Sequence, residues 1–160
     1  MPGIDEKDRE ILRILRKEGR ITLTELGRKV NLSPASVRNR LEKLEKLGAV
    51  KGYSAVVDPA FLDKYVKVLF LLKLKVEGPD IDLILEKFAA YENVESIFRT
   101  SGRTHAVIIA EFEDMDEMKA FASRLRKALG NSLEYIEWSA IYDVFKECWI
   151  EVGKRGGRWT

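Results

Sequence analysis

The chain has 160 residues, 46% hydrophobic and 34% charged, with a formal net charge of +2 and one cysteine. That length fits one domain or two small ones, and a lone Cys148 excludes an internal disulfide framework and an all-cysteine zinc site, in keeping with a reducing cytosol. Apolar flanks predict a core position for Cys148; no secretory signal and no uncharged apolar stretch of about eighteen residues is present, so the chain reads as cytoplasmic. Charge is unevenly spread. Residues 1–58 hold 13 Lys and Arg against 9 Asp and Glu, net +4, whereas residues 59–150 hold 12 against 16, net −4. A basic front joined to an acidic middle suits a nucleic-acid-binding segment attached to a part that stays off DNA.

In chain order, Asp5 predicts the N-cap of a helix from Ile4 to Glu18 with Ile11, Leu12, Ile14 and Leu15 buried, ended by Gly19. Thr22 and Glu25 form a capping box for a second helix. Ser33 and Pro34 supply the N-cap and first position of a third, whose Val37, Leu41, Leu44 and Leu47 line one stripe before Gly48 stops it. Two short helices joined by a tight turn are a means of setting one helix into the DNA major groove. Around the third helix, the flank of Ala35, Ser36, Asn39, Arg40 and Lys43 carries basic and amide groups suited to phosphates and purine edges. The other flank holds Arg38, Glu42 and Glu45; Arg38 with Glu42 and Glu42 with Lys46 are spaced as solvent-facing helix pairs, which ranks Arg38 below Arg40 as a base reader. A small polar N-terminus at Ser33 to Ser36 allows close approach to a phosphate. A hairpin over Ala49 to Ser54 is expected as a wing. The expected DNA contacts are therefore Thr22, Ser33, Ala35, Ser36, Asn39, Arg40 and Lys43, with Lys51 and Tyr53 on the wing.

Asp58-Pro59 marks a boundary, giving domains 1–58 and 59–150 and a flexible basic tail 151–160. About 58 residues bury a small core, so the first domain is expected to lean on the second or on a partner chain. Beyond the boundary, Val66–Val76 reads as a strand with an apolar middle, followed by a turn and cap at Gly78, Pro79 and Asp80 and a helix stripe of Ile81, Ile84, Leu85, Phe88 and Ala89. Val94–Thr100 and His105–Phe112 read as a strand pair, Asp114 or Asp116 caps a helix ending at Gly130, and Leu133–Ile150 alternates as a final strand. The order βαββαβ predicts a ferredoxin-like α+β domain with both helices on one sheet face. Its open face is most simply covered by the same face of a second copy, giving a homodimer with two-fold symmetry.

Taken together, Asp5-x-x-Asp8-x-x-Ile11-Leu12, Gly19-Arg20, Leu26, Val30-Asn31-Leu32-Ser33, Val37-x-x-Arg40-Leu41-x-x-Leu44-x-x-x-Gly48-x-Val50-x-Gly52-Tyr53, Asp58-Pro59 and Ser101-Gly102 resemble the leucine-responsive regulatory proteins and asparagine-synthesis regulators, the Lrp/AsnC or feast/famine family. The resemblance covers nearly all of residues 4–150. It implies a winged helix-turn-helix DNA reader joined to a ligand-sensing, dimerising ferredoxin-like domain that assembles further in many members. It also implies an amino-acid or related small-metabolite effector at the loop Thr100, Ser101, Gly102, Arg103, Thr104 and His105, with no resident cofactor. Where family members carry Gly-Asp-Tyr-Asp or a near relative, this chain reads Gly102-Arg103-Thr104-His105, exchanging a carboxylate for an imidazole and adding a cation. The alternatives are an architectural DNA binder with no effector, and an enzyme similar to the sirohaem decarboxylases that share both domains. With one histidine in the chain and no metal-ligand spacing or nucleophile-base pair, no enzyme is expected.

Overall fold

The computed structural model describes residues 3–75 and 79–152. The chain divides into two compact units: residues 1–56 together with 144–160, and residues 57–143. Among the described residues no helix is long and apolar enough to cross a membrane.

In the first unit, α1 spans Glu6–Leu15, α2 Leu23–Val30 and α3 Pro34–Lys46. Each start follows from local chemistry. The Asp5 carboxylate accepts from the Asp8 amide at 2.9 Å while that of Asp8 accepts from the Asp5 amide at 3.1 Å. Thr22 and Glu25 repeat the same reciprocal arrangement at α2. Ser33 caps α3 through the Ser36 amide at 3.1 Å, ahead of Pro34 at the first helical position. The α3 end is a Schellman motif: Gly48 takes φ +66°, its amide donates to the Glu45 carbonyl, and the Ala49 amide donates to that of Leu44. The turn between α2 and α3 is tight because Asn31 adopts φ 56° and the Leu32 carbonyl passes over Gly27, where a Cβ would lie 2.5 Å from that oxygen. Ile11, Leu26, Val30, Val37 and Leu44 are fully buried between the three helices.

The second unit begins with a 3₁₀ turn, Pro59–Leu62, and continues as β1 (Val66–Leu74), α4 (Pro79–Ala89), β2 (Val94–Arg99), β3 (Ala106–Phe112), α5 (Met115–Leu129) and β4 (Leu133–Ala140). The strands form an antiparallel sheet in the order β2-β3-β1-β4, the ferredoxin-like topology expected from the sequence. One face supplies Val68, Phe70, Leu72, Ala106, Ile108, Ala110 and Phe112 to a core closed by Leu85 and Phe88 of α4 and Met118, Phe121 and Leu125 of α5. On the opposite face Leu69 faces Ile109 and Leu71 faces Val107 in register, all four half-buried, with Phe98 of β2 exposed alongside. Val76 and Gly78, read as strand end and turn, lie outside the described residues, as does the tail from Gly153.

Three expectations are corrected. β4 ends at Ala140 rather than Ile150, because its partner β1 begins at Val66 and the ladder closes with Val68 opposite Ala140. Residues 144–152 belong to the first unit, where Lys146–Glu147 (β5) and Ile150–Glu151 (β6) pair as a hairpin. Cys148, expected in the core, is exposed at its turn.

Candidate nucleic-acid interface

Capping and burial together fix which side of α3 meets solvent. Val37 and Leu44 are buried; Ala35, Arg38, Asn39 and Glu42 are exposed at a spacing that places them on one helix face, and Pro34, Glu45 and Lys46 are exposed at the helix ends. Ser33 is exposed and Ser36 half-buried, their hydroxyls 3.0 Å apart at the helix N-terminus. The expected pairs of Arg38 with Glu42 and of Glu42 with Lys46 are not formed, and Arg38 makes no ion pair among the described residues.

Arg40 and Lys43 are placed differently. The Arg40 guanidinium donates to the Asp5 and Asp8 carboxylates at 2.7 Å each, and the Lys43 ammonium donates to the second oxygen of Asp8 at 2.8 Å. The Asp8 side chain has 0% exposure, against 27% for Arg40 and 42% for Lys43. Burial alone would raise the Asp8 pKa; hydrogen bonds from Lys43, Arg40 and the Asp5 amide outweigh it and hold the carboxyl at about 2. Bonding to Asp5 and then Asp8 raises the Arg40 pKa in turn. Arg40 thus ties α3 to the start of α1, whereas Arg38, beside Asn39, presents an uncommitted guanidinium. In the sequence Asp8 stands out only as part of the Asp5-x-x-Asp8 motif. Its second role needs the fold, since Arg40 and Lys43 lie 32 and 35 positions along the chain.

The expected wing hairpin is absent from the described residues, and 51–58 contain no strand. Contacts with α3 account for this. The Val50 amide donates to the Leu44 carbonyl at 3.3 Å, and the Tyr53 hydroxyl donates to Glu45 at 3.0 Å. Lys51 is exposed on this extended segment. Thr22 is exposed, and its hydroxyl donates to the Glu25 carboxylate at 2.7 Å.

In the second unit the loop from Thr100 to His105 is closed by three bonds. The Thr100 amide donates to the His105 carbonyl at 3.1 Å, the Thr100 hydroxyl to the Thr104 carbonyl at 2.7 Å, and the His105 amide to the Leu72 carbonyl at 2.8 Å. His105 Nδ1 accepts from the Leu74 amide at 3.0 Å, where the β1–β4 register shifts between Lys73 and Leu74. An accepting Nδ1 places the proton of the neutral ring on Nε2. Ser101, Gly102 and Arg103 are exposed, Gly102 at φ +100° with open space where a Cβ would point, and Arg103 makes no ion pair among the described residues. No cluster of His, Cys, Asp and Glu able to hold a metal occurs among the described residues.

Comparison with known proteins agrees with both halves of this description. A family described as winged helix-turn-helix DNA-binding matches residues 4–51, and the Lrp/AsnC ligand binding domain matches residues 69–132. An uncharacterized HTH-type transcriptional regulator of Pyrococcus horikoshii is 42% identical over 152 residues, covering 94% of this chain and 98% of its own length. The leucine-responsive regulatory protein of Escherichia coli is 33% identical over 138 residues, 82% of this chain and 78% of its own. Among solved structures, a transcriptional regulator of Neisseria meningitidis in complex with L-Met aligns over 91% of this chain and 94% of its own, with a TM-score of 0.74 and 25% identity. With both halves matched and a full-length relative this similar, the chain belongs to the Lrp/AsnC family of transcriptional regulators.

Proposed function

We propose that this regulator binds DNA as a homodimer, reads bases with Arg38 and Asn39 of α3, and responds to a small acidic metabolite, an amino acid or a relative of one, at the loop Thr100–His105. The observation that carries this reading is the exposed α3 face on which Arg38 and Asn39 are free while Asp8 holds Arg40 and Lys43. Arginine pairs with the two acceptors of guanine and asparagine with the acceptor and donor of adenine. The backbone at Ser33 to Ser36 suits a phosphate at a helix N-terminus. For dimerisation, the support is the apolar sheet face of Leu69, Leu71, Val107 and Ile109, half-buried in a single chain. For the effector, the support is the L-Met complex of the Neisseria relative together with Arg103, an exposed cation able to receive a carboxylate. With Nδ1 of His105 engaged by the backbone, Arg103 is the principal charged group that the loop offers.

Selection of duplexes from a random pool tests the reading. Arg38→Ala and Asn39→Ala each flatten the preference at one base position by about 1–3 kcal/mol, and Arg40→Ala leaves the preferred sequence unchanged while lowering stability. A dimer meeting on the order of 6 to 10 phosphates loses roughly 10³- to 10⁵-fold in affinity between 50 and 200 mM salt. Selection of no sequence by the wild-type protein, or a preference that follows Arg40 rather than Arg38, refutes the assignment.

A further inference from the structure

The first unit contains a cleft that the α3 surface does not use. Its floor is Leu12 and Leu15 of α1 with Val50 after α3, its rim carries Arg16 and Lys51, and Trp149 of the β5–β6 turn forms one wall. The cleft measures about 590 Å³, within the range of roughly 300–1,000 Å³ usual for small-molecule sites. The Arg16 guanidinium carbon sits 3.7 Å from the centroid of the Trp149 ring, and a second cleft of about 280 Å³ opens beyond this pair.

Two features suggest a built site rather than an incidental fold in the surface. Arg13, on the same helix, is tied to Glu6 at 2.9 Å, but Arg16 and Lys51 have no carboxylate partner among the described residues. A guanidinium stacked on an indole keeps its N–H edge available for in-plane bonds to a carboxylate. The turn that delivers Trp149 is also unusual. Glu147 and Ile150 pair directly, so Cys148 and Trp149 are its two central residues, with φ 43° and 70°. Positive φ at both positions marks a type I′ turn, which ordinarily takes Asn-Gly and is unfavourable for larger residues. The stack of Trp149 on Arg16 holds the ring at the cleft.

We propose that this cleft binds a small organic carboxylate with an aromatic or branched apolar body, its carboxylate on Arg16 and Lys51 and its body against Leu12, Leu15, Val50 and Trp149. The site belongs to the DNA-binding unit and uses none of the residues from Thr100 to His105.

Titration calorimetry on the full chain tests this with phenylacetate and 4-methylpentanoate as probes, phenethylamine as the charge-reversed control, and circular dichroism to verify folding of each variant. At least one acid binds saturably with one site per chain, and the amine does not bind. Arg16→Ala and Trp149→Leu each weaken the acid at least tenfold, Arg16→Lys weakens it less, and Arg103→Ala leaves it unchanged. The proposal is overturned if neither acid binds, if the amine binds as tightly, if folded Arg16→Ala and Trp149→Leu bind like wild type, or if Arg103→Ala abolishes binding. It also falls if Arg16→Ala weakens duplex DNA binding and leaves the acids untouched, because the basic rim then serves phosphate.

Discussion

Replacing Asp8 by Asn tests the tie between α1 and α3. The change preserves shape, removes the negative charge, and turns an amide toward two cations. Deleting one partner of a buried ion pair costs about 3–5 kcal/mol when the remaining charge is stranded. Here the cations are not fully stranded, because Arg40 keeps Asp5 at 2.7 Å and Lys43 is 42% exposed. A smaller figure follows from the carboxyl itself. Its pKa is lowered from 3.8 to about 2, and at about 1.36 kcal/mol per tenfold change this amounts to roughly 2 kcal/mol. Because the folded value lies below the unfolded one, the contribution is complete above pH 3.8 and fades as pH falls toward 2. Hydrogen exchange over segments covering α1 to α3, followed through urea titrations at several pH values, reads this unit separately from the sheet. Asp8→Asn should lower its opening free energy by about 2 kcal/mol at pH 7, with the gap to wild type narrowing below pH 4. Equal protection at pH 7, or a gap of constant size down to pH 2.5, would refute the reasoning.

Other substitutions probe the remaining features. Gly27→Ala places a methyl against the Leu32 carbonyl and should destabilise the first unit by about 1–3 kcal/mol, seen as an earlier thermal transition; an unchanged transition means that the α2–α3 turn relaxes freely. His105→Leu leaves the Leu74 amide without its acceptor and should cost about 1–3 kcal/mol in urea denaturation, while His105→Asn, whose Oδ1 takes the place of Nδ1, recovers much of the loss; two equally stable variants would contradict the bond. Leu71→Asp puts a charge on the open sheet face and should yield a folded monomer by light scattering, whereas a persistent dimer would locate the interface elsewhere.

What the sequence disclosed follows the range of the interactions involved. The caps at Asp5, Thr22 and Ser33 and the glycine stop of α3 are signals spanning three or four residues, and all were readable. So was the order of the second unit, because its helix and strand periods differ. The reading failed where a distant partner decides. Helix spacing favours Arg40 over Arg38 as the unpaired cation, and only Asp8, brought across from α1, shows Arg40 to be engaged. Alternation from Ile136 to Val144 resembles one strand, yet it cannot reveal that the β1–β4 ladder closes at Val68 opposite Ala140, with one last bond from the Ile141 amide to the Lys67 carbonyl. Glycines and a tyrosine after α3 suggest a hairpin, whereas bonds from Val50 and Tyr53 to Leu44 and Glu45 draw that segment along the helix. Trp149 carried no local signal, since its role depends on Arg16, far earlier in the chain.

The hairpin that brings Trp149 back to α1 makes the sheet-bearing unit an insertion within the DNA-binding one, entered after Val56 and left before Val144. An excised fragment ending at Val56 would therefore lack a wall of its own cleft. A faithful miniature would have to retain residues 144–152 together with residues 1–56. In the intact polypeptide the same topology supplies two covalent straps where an ordinary tandem arrangement has one.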